Sequence, residues 1–95
     1  MKKYEVMYIL NPTLSQEEFA TAIANFNEIF TNNGSKVLET KEMGLRDLAY
    51  EINKQRKGYY VWQLVEANPT AVSEFERITG YDERCMRHIV VRYEE

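Results

Sequence analysis

Residues 3–34, KYEVMYILNPTLSQEEFATAIANFNEIFTNNG, change hydrophobic period partway along, and the change decides the fold. In the first eight residues Tyr4, Val6, Tyr8 and Leu10 recur at every second position, the spacing of one face of a β-strand. Asn11-Pro12 stops that strand, because proline supplies no ladder donor and asparagine favours turns. Ser15 then precedes Glu18 by three positions, with Leu14 and Phe19 placed as a hydrophobic staple, which predicts a capped helix start. Phe19, Ile23, Phe26 and Phe30 follow at helical spacing, and Asn32-Asn33-Gly34 supplies a left-handed stop after about five turns.

Outward from there, Lys36 to Ile52 reads as a long twisted strand broken by Gly44, where a bulge or bend is expected. Residues 53–58, NKQRKG, read as a polar connection, and 59–66, YYVWQLVE, as a strand apolar on both faces. Tyr60, Trp62 and Leu64 oppose Tyr59, Val61 and Val65, so this strand is expected in the middle of a sheet. Asn68-Pro69 predicts a second helix start, with Val72, Phe75 and Ile78 as its apolar stripe and Gly80 as its end. Residues 86–93, MRHIVVRY, make a last strand. The order β-α-β-β-α-β predicts an α+β, ferredoxin-like sandwich, with two helices on one face of a four-stranded antiparallel sheet and the other face open for partners.

The 95 residues suit one domain spanning 1–95, and 44% hydrophobic content suffices for a core. Glu5 and Asn11-Pro12 interrupt the opening apolar stretch too early for a secretory leader, and no apolar run approaches a membrane span. The lone Cys85 has no internal disulfide partner, so a reducing, intracellular compartment is expected, with Cys85 as a half-buried apolar filler.

A formal charge of −3 is not that of a free-standing nucleic-acid binder, which gains affinity by counterion release through a basic excess. The charge is segregated by element. Residues 13–33 carry Glu17, Glu18 and Glu28 without a base, whereas 84–92 carry Arg84, Arg87 and Arg92 without an acid. Between 36 and 60, Lys36, Lys41, Arg46, Lys54, Arg56 and Lys57 stand against Glu39, Glu42, Asp47 and Glu51.

Catalytic chemistry is not indicated. His88 lacks a second metal-ligand candidate nearby in sequence and reads as a strand-surface or satisfied histidine; no metal site and no cofactor are expected. Asn11-Pro12-Thr13-Leu14 lacks the glycines of a phosphate loop. Glu17, Glu18, Glu74 and Glu76 fit solvated helix faces.

Lys54, Arg56 and Lys57 fall within four positions at a hairpin tip, either cations presented to phosphate or a solvated polar turn. The segment before them, GLRDLAYEIN at 44–53, closely resembles the segment characteristic of the ribosomal small-subunit protein six family. The opening KKYEVMYILNP, Lys57-Gly58-Tyr59-Tyr60, Trp62 and the Arg-rich last strand with Val90-Val91 are also similar to that family, so the likeness covers nearly the whole chain.

The resemblance implies a ferredoxin-like fold in the cytoplasmic ribosome. It also implies binding to the central domain of small-subunit ribosomal RNA, with ribosomal small-subunit protein eighteen as heterodimer partner. A basic partner would supply the field that an acidic chain lacks towards an RNA polyanion. Lys2 and Lys3 match basic positions at the family's start, and Arg87 and Arg92 match its last strand. Since the fold makes the first and last strands neighbours, these four are expected to form one basic edge, an RNA contact or a bland solvated rim. Arg46 is assigned either an RNA or partner contact or an ion pair with Asp47 or a neighbouring strand. Tyr60, Trp62 and Tyr50 are the expected protein-partner residues. Arg46 and Tyr50 share parity with Leu48 and Ile52, whose side is expected to be apolar, so facing a partner would require a bulge or local packing to redirect them. The chain ends at Glu94-Glu95, where some members of that family continue into a longer tail, so contacts made by such a tail are not expected of it.

Two other readings share the fold. An RNA-recognition motif is suggested by Met7-Tyr8-Ile9-Leu10-Asn11 and Lys57-Gly58-Tyr59, but Tyr60, Val61 and Trp62 stand where that module wants a small, an aromatic and an aliphatic residue. A regulatory domain dimerising through its sheet around a metabolite would need ligand-specifying loops, and none is evident.

Overall fold

The structure, a computed structural model, describes residues 1–52 and 54–93; Asn53, in the expected connection, and Glu94-Glu95, at the end of the chain, lie outside the described residues. Alternation along β1 (Lys2–Leu10) buries Val6, Tyr8 and Leu10 on one side, with Tyr4 packed beside them. In α1 (Gln16–Asn32) the Ser15 hydroxyl accepts from the Glu18 amide at 3.2 Å and the Glu18 carboxylate accepts from the Ser15 amide at 3.0 Å, a reciprocal capping box. Phe19, Ile23, Phe26 and Phe30 are all buried. The helix closes with the Gly34 amide on Thr31 O and the Ser35 amide on Phe30 O.

β2 (Lys36–Ile52) and β3 (Gln55–Ala67) form a long antiparallel hairpin. The pairing slips at Leu38 and again at Met43, just before Gly44, whose φ of +85° only glycine adopts without strain. β3 starts four residues earlier than the polar composition of 53–58 implies: Ile52 pairs with Gln55, so Gln55, Arg56 and Lys57 lie on a strand. Polar side chains conceal a strand wherever both of its faces stand in water.

α2 (Pro69–Tyr81) carries Asn68 as its cap, and β4 (Cys85–Arg92) completes the sheet in the order β2-β3-β1-β4, all pairs antiparallel. Gly80 does not end α2; the helix continues through Tyr81 to Asp82. The stop is Asp82, whose carboxylate accepts from the Arg84 amide at 2.9 Å while its carbonyl accepts from the Cys85 amide at 3.0 Å.

Both helices lie on the side of Val6, Tyr8, Val61 and Val65. Phe30 stacks on Phe75 at 5.0 Å between ring centroids, Tyr8 meets Phe26 edge-on at 5.1 Å, and Phe19 stacks on Tyr59 at 4.1 Å. Asn68 joins the helix ends: its side-chain amide donates to Asn33 O at 2.9 Å and its carbonyl caps the Ala71 amide at 2.8 Å. This one-sided core leaves the opposite face of the sheet without a helix.

Candidate RNA and protein interface

The strand registers determine what the helix-free face displays. Tyr59 and Gln63 contact α1, through Phe19 and Asn27, so the alternate residues Tyr60, Trp62 and Leu64 face away from the helices. Met7 lies between Trp62 and Ile89, Ile9 between Tyr60 and Arg87, and Glu5 between Leu64 and Val91. An apolar strip therefore crosses β3, β1 and β4. Ile89 is 60% exposed and Val91 47%, values that leave apolar surface in water. Lys41 brings its ammonium 5.9 Å from the Trp62 ring centroid at the β2 edge.

The far end of the β2–β3 hairpin is an arm that reaches past the end of β1. Arg46 pairs with Gly58 and Asp47 with Lys57, but pairing resumes only at Ile52 and Gln55, so residues 48–51 face a single β3 residue, Arg56. The alternate side chains Leu48, Tyr50 and Ile52 lie towards β1, β4 and the end of α2, whereas Glu51 approaches Arg56. Leu48 lies beside Ile9 at the Gly58 crossing, Tyr50 shares a hollow with Met7, Ile9, Arg87, His88 and Ile89, and Ile52 shares one with Thr79, Gly80 and Cys85. The parity that Arg46 shares with Tyr50 is thus the parity of the helix-free face itself. The pairing with β3 is irregular between Asp47 and Ile52, and Tyr50 packs locally beside Met7, Ile9 and Ile89, the kind of bulge and local packing expected to turn this parity towards a partner.

Tyr50, Tyr60 and Trp62, expected together as a protein-partner set, all lie on this face. The expected basic positions do not form one edge. Arg87 pairs with Ile9 and Arg92 with Tyr4, five residues apart on β1 and on opposite faces, a separation of roughly 16 Å. Lys2 and Lys3 pair with Ala67 and Glu66, near Arg92 and at the far end from the arm. An odd number of intervening residues would have kept the two arginines on one face; the four between them do not.

On the arm, Arg46, Lys54, Arg56 and Lys57 are exposed. Lys57 approaches Asp47, and Arg56 approaches Glu51, each at 4.0 Å, and these solvated pairs at the limit of contact leave the cations available. Arg46 makes no ion pair with Asp47; among the described residues it has no carboxylate partner. Lys54, with φ +67°, occupies the hairpin turn. Lys36, opposite Glu66 at the far end of β2 from the arm, and Lys41, above Trp62 midway along it, are further cations of this strand.

The remaining titratable groups serve the scaffold. Arg84 grips Asp82 at 2.6 Å and donates to Asn25 at 3.1 Å, tying the α2–β4 turn to α1; these bonds hold the Asp82 carboxyl below its usual range. Burial, followed by the bond that Tyr59 donates to Glu42 at 2.8 Å, raises the Tyr59 phenol. Burial pushes the Cys85 thiol up to about 12, so little thiolate forms near neutrality. His88 lies edge-on to Phe75 at 6.2 Å. Among the described residues no group of three His, Cys, Asp or Glu converges as metal ligands would, and no helix is long and apolar enough to cross a membrane.

A family model described as Ribosomal protein S6 matches residues 3–92. The chain is 53% identical over 92 residues to the small ribosomal subunit protein bS6 of Acholeplasma laidlawii, with 97% of each chain covered. It is 44% identical over 94 residues to the protein of the same description from Phytoplasma mali, with 99% of this chain and 100% of the relative covered. The crystal structure of 30S ribosomal protein S6 from Thermotoga maritima superposes with a TM-score of 0.91 at 25% identity, covering 97% of this chain and 87% of that one.

Proposed function

The chain belongs to the ribosomal protein S6 family, and from that premise we propose that it binds the central domain of small-subunit ribosomal RNA as a heterodimer with ribosomal small-subunit protein eighteen. Membership makes it a structural component of the small subunit, in the ribosome of the cytoplasm. Its role is architectural, with no catalytic step.

The observation that carries the proposal is the adjacency of two unlike surfaces. The strip of Met7, Trp62, Ile89 and Val91 suits an apolar protein surface, and the arm beside it carries Arg46, Lys54, Arg56 and Lys57 for phosphate. A protein laid on the helix-free face would leave the arm cations exposed at its border. With a chain charge of −3, RNA affinity requires that partner to be basic. Lys2, Lys3 and Arg92 are proposed as a second phosphate contact at the opposite end of β1, eight residues or roughly 26 Å from the arm.

The test is a titration of central-domain ribosomal RNA with this chain alone, with the basic partner alone, and with both at fixed salt. Tight binding only by the pair supports the heterodimer. Tight binding by this chain alone to arbitrary single strands would replace it with base stacking on the Tyr60 and Trp62 rings.

A further inference from the structure

β2 and β4 are opposite edges of the sheet, separated by β3 and β1, yet residue 50 touches residue 87. The guanidinium carbon of Arg87 lies 5.4 Å from the Tyr50 ring centroid. Because residues 48–51 lack a full ladder to β3, side-chain contacts hold this part of the arm in place. Leu48 rests near Ile9, and Arg87 rises from the strand position directly opposite Ile9.

We propose that Arg87 is a positioning residue: through the Tyr50 ring it latches the 45–58 arm onto β4 and so sets where Arg46, Arg56 and Lys57 meet RNA, without itself contacting phosphate. The inference rests on the RNA-binding reading above. The latch has a chemical logic. An exposed segment without ladder bonds samples many orientations, and mobile cations lose affinity through the entropy of ordering them on RNA. A delocalised guanidinium lying over a phenol ring fixes the arm while keeping the charge hydrated.

Two measurements test it. In the free full-length protein, amide hydrogen exchange across residues 46–52 should quicken roughly three-fold in Arg87→Met and in Tyr50→Leu, and Arg87→Lys, which keeps a cation over the ring, should restore most of the protection. Unchanged exchange in Arg87→Met would overturn the latch, and this readout stands even if the wild-type pair fails to bind RNA and the function reading falls. In the RNA complex with the protein partner, Arg87→Met should weaken binding several-fold with an unchanged dependence on salt. The same substitution in a Tyr50→Leu background should then add nothing. A loss of about one unit of salt slope, or a full further loss of affinity without the Tyr50 ring, would make Arg87 a phosphate contact and overturn the proposal.

Discussion

A Cβ added to Gly58 would overlap Cγ2 of Ile9, with Cδ2 of Leu48 at 3.4 Å on its other flank. Gly58 is the point where the hairpin arm leaves the sheet, paired with Arg46 and packed over the β1 side chain that lies between Tyr60 and Arg87. A hydrogen in place of a side chain lets the arm lie against the sheet instead of standing off it. Ile9 is branched at Cβ, so its methyl cannot move aside without leaving its rotamer.

Gly58→Ala should therefore destabilise the protein by about 1–3 kcal/mol, the usual cost of overpacking, read as a lower urea midpoint at unchanged slope. A double variant, Gly58→Ala with Ile9→Val, should not recover the loss, because valine keeps the offending methyl. Ile9→Ala should recover part of it. Equal stability of wild type and Gly58→Ala would mean that the arm stands off Ile9.

Legibility from sequence divides at the same place. The capping box at Ser15 and Glu18, the stripe from Phe19 to Phe30 and the alternation along β1 are local patterns, and each stands where the periodicity puts it. The bulge at Gly44 was also legible, since a glycine inside a strand pattern marks one. Residues 55–58 read as a loop because a solvated hairpin arm needs no apolar alternation. Gly80 read as a stop because its identity says nothing of the Asp82 turn that ends the helix. For the site, neighbouring strands were predictable but faces were not: the parity of Arg87 against Arg92 follows only from a register, and the Tyr50–Arg87 contact depends on an arm that crosses the sheet.

Asn68 joins three elements, and its replacement separates two roles. Its side-chain carbonyl caps α2 and its amide group donates to Asn33 O at the end of α1, while its backbone amide donates to Ser35 Oγ at 3.3 Å. Asn68→Ala removes both side-chain bonds and should cost about 1–2 kcal/mol. Asn68→Asp keeps the cap acceptor and loses the donor, so it should cost less than alanine. Equal losses from the two would assign the whole effect to the link with Asn33.

Stability should fall on the alkaline side through two buried acids. Burial raises Cys85 from 9.0 to about 12, and burial raises the Tyr8 phenol, whose oxygen has no hydrogen-bond partner among the described residues. Each group keeps its proton in the fold at pH values where the unfolded chain has released it, so the unfolded state binds fewer protons and stability declines as pH rises. The decline should begin near pH 9 with Cys85 and steepen above pH 10 as the unfolded tyrosine ionises, at about 1.4 kcal/mol per pH unit for each group. Urea unfolding at pH 7 to 11 measures it. Tyr8→Phe should flatten the upper part of the curve and cost little at pH 7, because it removes a hydroxyl that was buried without a partner. An alkaline limb unchanged by Tyr8→Phe and Cys85→Ala would place the responsible groups elsewhere.

Ile89 offers the cleanest test of the helix-free face because it belongs to the strip, at its β4 end, yet is 60% exposed. Placing a charge there leaves the folded core untouched, so Ile89→Lys should change stability by no more than about 0.5 kcal/mol. In a complex the same lysine would be buried against the apolar surface that the partner is proposed to bring, in the hollow that Glu5 also lines. The cost of desolvating both charges exceeds what their attraction returns. Binding of the purified basic partner, followed by calorimetry without RNA, should therefore weaken by about ten-fold or more, equivalent to about 1.4 kcal/mol. Tyr81→Lys is the matched control: Tyr81 is 84% exposed at the end of α2, away from the sheet face, and its replacement should leave partner affinity unchanged. If the two substitutions acted alike, the partner would not cover the strip. A loss confined to Ile89→Lys assigns the partner contact to the face formed by β3, β1 and β4.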